Sequence, residues 1–137
     1  MKKIKLIVLL SLGCLFVGCS GMSSTVDGKT YIFTQQQKCP TLLEMDVNQT
    51  VELTLKENPS TGYGWSLEDP LKLFKVEETY ISDAKKNNDS AMLGQGGNKI
   101  FKFRAIQPGE EVIKIRHARA WENETSIDEW VCRIRIS

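Results

Sequence analysis

The chain has 137 residues, with 18 basic and 17 acidic residues, and carries a formal net charge of +1. This length suits one small domain with its own core. The balanced charge excludes a typical nucleic-acid-binding protein, which would carry a concentrated basic face. Isolated basic pairs such as Lys85–Lys86 are expected on solvated surface.

The N-terminal segment has the pattern of a secretory signal. Lys2, Lys3 and Lys5 precede an apolar run from Leu6 to Val17, which is too short to span a membrane as a helix. The run ends at Gly18-Cys19 and is followed by a Ser/Gly-rich stretch. This arrangement resembles a bacterial lipoprotein signal, in which cleavage before the cysteine leaves that cysteine to be lipidated.

Two alternatives to lipidation at Cys19 remain open at this stage. Cys14 is a weaker competing site, and the segment could be an ordinary signal peptide with a chance cysteine. The lipoprotein interpretation predicts a signal peptide over residues 1–18, a polar tether over 19–28 and one domain over 29–137. It places the protein in the cell envelope, lipid-anchored to a bacterial membrane. Removing three lysines from 18 basic residues leaves 15 against 17 acidic ones, a net charge of about −2.

Period-2 alternation of apolar and polar residues dominates the rest of the chain, which indicates β-strands with one buried face. A further strand is expected from about Leu73 to Ile81. Turn-forming clusters separate the runs, and no window of helical length shows a 3.6-residue apolar stripe. About seven or eight short strands of this kind predict an all-β protein, an antiparallel β-sandwich. The alternating sets are Tyr31/Phe33, Val51/Leu53/Leu55, Phe101/Phe103/Ala105, Ile113/Ile115 and Trp130/Cys132/Ile134/Ile136.

Two cysteines, Cys39 and Cys132, lie within the predicted domain. In an oxidising envelope compartment they could form a disulfide. The alternative is a pair of buried free thiols, because Cys132 lies on the apolar face of its strand.

Three segments between or beside the predicted strands are unusually rich in Gly or Trp. In a sandwich, loops at alternate strand ends cluster at one end of the domain, so these segments could form one composite edge. We refer to residues 58–63 as the central loop, to 94–97 as the second loop and to 119–121 as the third loop. Their residues are Asn58, Pro59, Ser60, Thr61, Gly62 and Tyr63; Gly94, Gln95, Gly96 and Gly97; and Arg119, Ala120 and Trp121.

The central loop is expected to be stiff. Asn58 can hydrogen-bond its own backbone, Pro59 fixes φ, and Gly62 can adopt a positive φ without steric cost. A stiff loop loses little entropy when it binds a partner.

In this order the three segments resemble the chagasin-type inhibitors of papain-like cysteine proteases. That family carries an Asn-Pro-(Thr/Ser)-Thr-Gly-(Tyr/Phe) loop, a Gly-x-Gly-Gly loop and an Arg-Pro-Trp loop. The present chain has Asn58 to Tyr63, Gly94 to Gly97, and Arg119-Ala120-Trp121, which departs from the family at Ala120. The resemblance covers the chain from about Thr30 to Ser137.

The resemblance implies an immunoglobulin-like sandwich whose three loops form a wedge that enters the protease cleft. The central loop would cover the catalytic Cys–His pair, Arg119 and Trp121 would pack on the primed side, and the second loop would brace the other side. Trp121 is the candidate anchor residue. Ala120 lacks the rigidity of proline, which predicts a looser third loop.

The sequence favours a monomeric binding protein over an enzyme. His117 alternates with Ile113 and Ile115, so it is interpreted as a half-buried structural histidine. No zinc-ligand spacing and no phosphate-binding loop are present in the sequence, so neither a cofactor nor a metal is expected. The alternative function is an envelope-anchored module that binds a glycan or an envelope protein. An exposed aromatic shelf of Tyr63, Trp65 and Trp121 would favour the glycan.

Overall fold

The computed structural model of the protein describes residues 28–86, 94–122 and 126–137. The predicted signal segment, Cys19, the tether up to Asp27 and the polar turn at Asn87–Ser90 lie outside the described residues. None of the helices in the described ranges is long and apolar enough to cross a membrane.

The described residues form eight strands joined by turns and two short helical segments. A 3-10 turn spans Pro59–Thr61, and the short helix α1 spans Asp83–Lys86. The strands are β1 Thr30–Thr34, β2 Leu43–Met45, β3 Thr50–Glu57, β4 Tyr63–Leu67, β5 Phe74–Ser82, β6 Gly97–Ala105, β7 Gly109–Arg119 and β8 Asp128–Ile136.

The strands form two four-stranded sheets, in the orders β1-β3-β6-β5 and β2-β8-β7-β4. The predicted sandwich is confirmed, but it is not purely antiparallel. The edge strand β1 pairs with β3 in parallel, and the edge strand β2 pairs with β8 in parallel. Both sheets are therefore mixed. Sequence alternation missed this because it reports which face of a strand is buried and carries no information on the direction of the neighbouring strand.

The core lies between the sheets and consists largely of the alternating residues that the sequence predicts, joined by residues such as Leu43 and Met45 of β2. Val51, Leu53 and Leu55 of β3 are fully buried, and they face Ile113 and Ile115 among the core residues from the other sheet. Each fully buried aliphatic side chain of this kind contributes about 1.5–3 kcal/mol relative to exposure. Strand β2 was not predicted, because three residues are too few for alternation to stand out.

A disulfide links Cys39, which follows β1, to Cys132 in the middle of β8, with the two Cα atoms 5.2 Å apart. Cys132 is buried in the core. Beside this link the rings of Phe33 and Trp130 pack with centroids 5.6 Å apart. The chain segment that crosses from one sheet to the other is thus tied to the core at its midpoint.

Candidate functional site

The central loop is a capped 3-10 turn. The side chain of Asn58 accepts a hydrogen bond from the backbone N–H of Ser60 at 3.2 Å, and Pro59 occupies the first turn. Gly62 closes the turn with φ +79° and donates its N–H to the carbonyl of Pro59 at 3.0 Å. The hydroxyl of Thr61 donates to the carbonyl of Asn58 at 2.7 Å. The local chemistry predicted for Asn58, Pro59 and Gly62 is confirmed.

The second loop lies on one side of the central loop. The side-chain amide of Asn58 donates to the carbonyl of Gly94 at 3.1 Å. A Cβ placed on Gly96 would lie 3.2 Å from the carbonyl oxygen of Glu57, so glycine permits a close approach of the two backbones here.

Gly97 does not belong to a loop, contrary to the sequence prediction. It is the first residue of β6 and is buried. A Cβ at this position would meet the hydroxyl of Tyr80 at 2.6 Å. Gly97 therefore permits strand packing behind the loops and presents little surface of its own.

The third loop lies on the opposite side of the central loop. Arg119 is the last residue of β7, and its Nε donates to the carbonyl of Thr61 at 3.2 Å. Its guanidinium lies over the ring of Tyr63 at 4.3 Å and forms an ion pair with Glu122 at 3.2 Å. Trp121 is 68% exposed, and one edge of its indole contacts Gly62.

The aromatic residues at the end of the central loop divide between surface and core. Trp65 is buried, with 3% exposure, and its indole N–H donates to the carbonyl of Lys56 at 2.8 Å. Tyr63 opens strand β4 and is half-buried against Arg119. Trp65 is a core residue, and the exposed shelf of Tyr63, Trp65 and Trp121 does not form.

Residues 44–136 match the family model described as Chagasin family peptidase inhibitor I42. The chain belongs to the chagasin family. It is 31% identical over 85 residues to Chagasin of Trypanosoma cruzi, covering 58% of this chain and 73% of that protein. It is 28% identical over 92 residues to Amoebiasin-2 of Entamoeba histolytica, covering 67% of this chain and 72% of the relative. As a member of an inhibitor family, the protein is not an enzyme.

Solved structures share the immunoglobulin-like fold of this chagasin-family protein. A cysteine protease inhibitor from Entamoeba histolytica superimposes with a TM-score of 0.64 at 20% identity, covering 80% of this chain and 97% of its own. Leishmania mexicana ICP gives a TM-score of 0.53 at 20% identity, covering 83% of this chain and 93% of its own. These identities are low, so the likeness concerns the fold.

His117 occupies the base of the three loops in this chagasin-family protein. Its imidazole stacks on Trp65 at 4.5 Å between centroids and meets the edge of Tyr63 at 5.8 Å. Burial lowers the pKa of His117 below its usual range, although the nearby carboxylates of Glu57 and Asp128 oppose the shift. The histidine is half-buried, as its position in the strand predicted.

Glu57 is a site residue that sequence reasoning missed. It ends β3, directly before Asn58, and its carboxylate Oε2 accepts a hydrogen bond from the backbone N–H of Trp65 at 2.6 Å. The sequence shows an acidic residue immediately before an Asn-Pro turn. The neighbouring residues do not indicate which backbone N–H its carboxylate binds. Only the folded chain brings Trp65 back to Glu57.

A cavity of about 420 Å³ lies beside the central loop. Its wall is mainly apolar and joins the central loop to the second loop, to His117 and to Ile127, whose side chain is 58% exposed. The three-loop end of the domain therefore has a concave, mainly apolar surface beside the exposed central loop.

Proposed function

We propose that this protein is a reversible inhibitor of papain-like cysteine endopeptidases that occludes the active-site cleft with its three loops. We use the word wedge for the central, second and third loops together. Blocking of this kind needs a rigid projecting surface and requires neither a nucleophile nor a metal.

The observation that carries the proposal is the contact between three segments that lie far apart in the sequence. Asn58 binds Gly94 on one side, while Arg119 binds Thr61 and Trp121 contacts Gly62 on the other. The central loop is therefore flanked by the second and third loops, in the order that the family resemblance implies for a wedge.

The chemistry of the wedge suits a cleft that holds an extended peptide backbone. Thr61 and Gly62 offer small surfaces at the tip, so the loop can approach a catalytic thiolate closely. Trp121 offers a large, rigid and exposed apolar anchor with one N–H donor. Inhibitors of this type bury about 1,600 Å² in total with their proteases.

Two solved structures of the same fold support this target class. One is a cysteine protease inhibitor, and the other, with a TM-score of 0.50 at 16% identity, is PbICP-C in complex with falcipain-2. It covers 80% of this chain and all of its own. The glycan-binding alternative loses its main support, because Trp65 is buried and cannot contribute to a sugar-stacking shelf.

The test is titration of papain and a cathepsin L-type enzyme with the chain from Ser20 onward. Both sheets and their core lie within the residues described from Gly28, so this version retains every contact reported above. We expect tight, reversible inhibition that is lost in Thr61→Arg, because a long charged side chain at the tip blocks close approach. A folded wild-type domain that leaves both enzymes fully active would reject the proposal.

We further propose that Cys19 is lipidated and holds the domain, as a monomer, on a bacterial membrane in the cell envelope. The topology is compatible with this arrangement. Strand β1 begins at Thr30 opposite Thr50, the end of β3 that is remote from Asn58. A tether entering at Gly28 would therefore leave the wedge pointing away from the membrane.

Metabolic labelling with a fatty-acid analogue tests the anchor. Label is expected in the wild type and in Cys14→Ser, and its loss is expected in Cys19→Ser. Label that persists in Cys19→Ser but disappears in Cys14→Ser would move the anchor to the competing site. The monomer proposal is tested by light scattering of the chain from Ser20 onward.

A further inference from the structure

Glu57 and Trp65 flank the central loop but belong to different sheets. Strand β3 ends at Glu57 in one sheet, and Trp65 lies in β4 at the edge of the other. The carboxylate of Glu57 accepts the backbone N–H of Trp65 at 2.6 Å. This hydrogen bond closes the loop at its base and connects the two sheets there.

A second hydrogen bond crosses the same gap. The indole N–H of Trp65 donates to the carbonyl of Lys56, the residue before Glu57, at 2.8 Å. Because the indole is buried and stacked on His117, its position is fixed by the core. The carboxylate bond therefore joins the last residue of β3 to a strand whose own placement is rigid.

The backbone of Glu57 also contacts the second loop. Glu57 pairs with Gly97 in the ladder between β3 and β6. A Cβ placed on Gly96 would lie only 3.2 Å from the carbonyl oxygen of Glu57. On its other side β4 carries Tyr63, which pairs with Arg119 of the third loop. Glu57 therefore contacts β6, which carries the second loop, and β4, which joins the central loop to the strand of the third loop.

We propose that Glu57 is the positioning residue of the wedge. Its carboxylate fixes the angle at which the central loop leaves the sandwich, and it does so by bonding an amide of the protein's own backbone. It need not touch the protease. The inference rests on the proposed protease inhibition.

Two conservative substitutions separate this role from a direct electrostatic contact with the protease. Glu57→Gln keeps the length of the side chain and an acceptor oxygen but removes the charge. Glu57→Asp keeps the charge but is one methylene too short to reach Trp65. If Glu57 positions the loop, Gln retains inhibition and Asp loses it. If Glu57 instead attracts the protease, the order reverses.

The experiment measures the inhibition constant for papain with the chain from Ser20 onward, together with the amide resonance of Trp65. We expect Glu57→Asp to weaken inhibition by about tenfold or more, the loss associated with one displaced polar contact. It should also shift the Trp65 amide resonance. The inhibition constant of Glu57→Gln should stay within about threefold of the wild-type value, which is a smaller change than the tenfold that corresponds to about 1.4 kcal/mol. Glu52→Ala is the matched control, because Glu52 lies on the same strand and pairs with Lys102 at 3.6 Å.

The outcomes are distinct. Weaker inhibition by Glu57→Asp together with retained inhibition by Glu57→Gln supports the proposal. The proposal is overturned if Glu57→Asp inhibits as well as wild type, or if only Glu57→Gln loses inhibition. If wild type fails to inhibit papain, the proposed function fails. The Trp65 amide resonance then still decides whether Glu57 holds the loop, because an unmoved resonance in Glu57→Asp would exclude the bond.

Discussion

The indole of Trp121 lies so close to Gly62 that a single added methyl group would overlap it. Gly62 also has φ +79°, a conformation that side chains other than glycine rarely adopt. Gly62 of the central loop and Trp121 of the third loop therefore fit closely against each other. Beside them, Arg119 donates a hydrogen bond to the carbonyl of Thr61, which lies 58 positions earlier in the chain. Predictions about this contact test the wedge directly.

Substitution of Gly62 by alanine should damage inhibition more than stability. The added Cβ strains the backbone by about 1–2 kcal/mol and also displaces the exposed Trp121 ring. We expect a loss of at least about tenfold in the inhibition constant for papain. Gly28→Ala is the matched control, because Gly28 has φ +104° with open space around it and lies remote from the wedge. Equal inhibition by the two variants would contradict the Trp121 contact.

Trp121→Ala should abolish most of the affinity while leaving the fold intact. The side chain is 68% exposed in the free protein, so little core is lost, but anchor residues of this type contribute about 2 kcal/mol or more to an interface. That corresponds to about 30-fold in the inhibition constant. Ile32→Ala removes a comparably exposed apolar side chain from β1, and it should change neither inhibition nor the melting temperature appreciably.

Ala120→Pro should strengthen inhibition by a few-fold. The carbonyl of Arg119 accepts the N–H of Glu122 at 3.1 Å, which makes Ala120 the second residue of a four-residue turn. Proline is favoured at that position because its ring fixes φ, and it removes conformational freedom from the unbound loop. The inhibition constants of the two proteins decide the matter. Weaker or unchanged inhibition would show that Ala120 leaves the third loop no looser than proline does.

Stability should fall as the pH drops from about 6.5, the ordinary pKa of histidine, towards the lowered pKa of His117. In that window the unfolded chain binds a proton that the folded protein does not, so acid favours unfolding. Thermal melting between pH 7.5 and 5 measures this effect. The lowered pKa values of exposed Glu68 and Glu110 take effect mainly around and below their ordinary 4.5, so they contribute little over most of this range. His117→Phe keeps a flat ring against Trp65 and should flatten the profile.

Reduction of the bond between Cys39 and Cys132 should lower the melting temperature substantially. The bond closes a loop with a sequence separation of 93. The chain-entropy model gives about 4.6 kcal/mol for a loop of this length. Alkylation of the unreduced protein followed by mass spectrometry provides the chemical check. Two alkylated thiols at Cys39 and Cys132 in protein isolated from its native cells would show that the bond does not form there.

Much of the fold could be predicted from the sequence because burial on one face of a strand imposes a period of two. Every second residue from Val51 to Leu55 and from Trp130 to Ile136 is apolar and buried, and these residues form part of the core. The conformation of the central loop was equally local, since Asn58, Pro59 and Gly62 each act on their own backbone.

Only the tertiary structure decided how segments that are distant in the sequence contact one another. Strand direction depends on the neighbouring strand, so the parallel pairing of β1 with β3 has no signature within either segment. In the same way, nothing near Glu57 in the sequence shows that its carboxylate will meet the amide of Trp65. The sequence determined the conformation of the central loop and the buried face of most strands through local sterics and burial. Packing of the two sheets decided which loops meet and which polar groups hold them together.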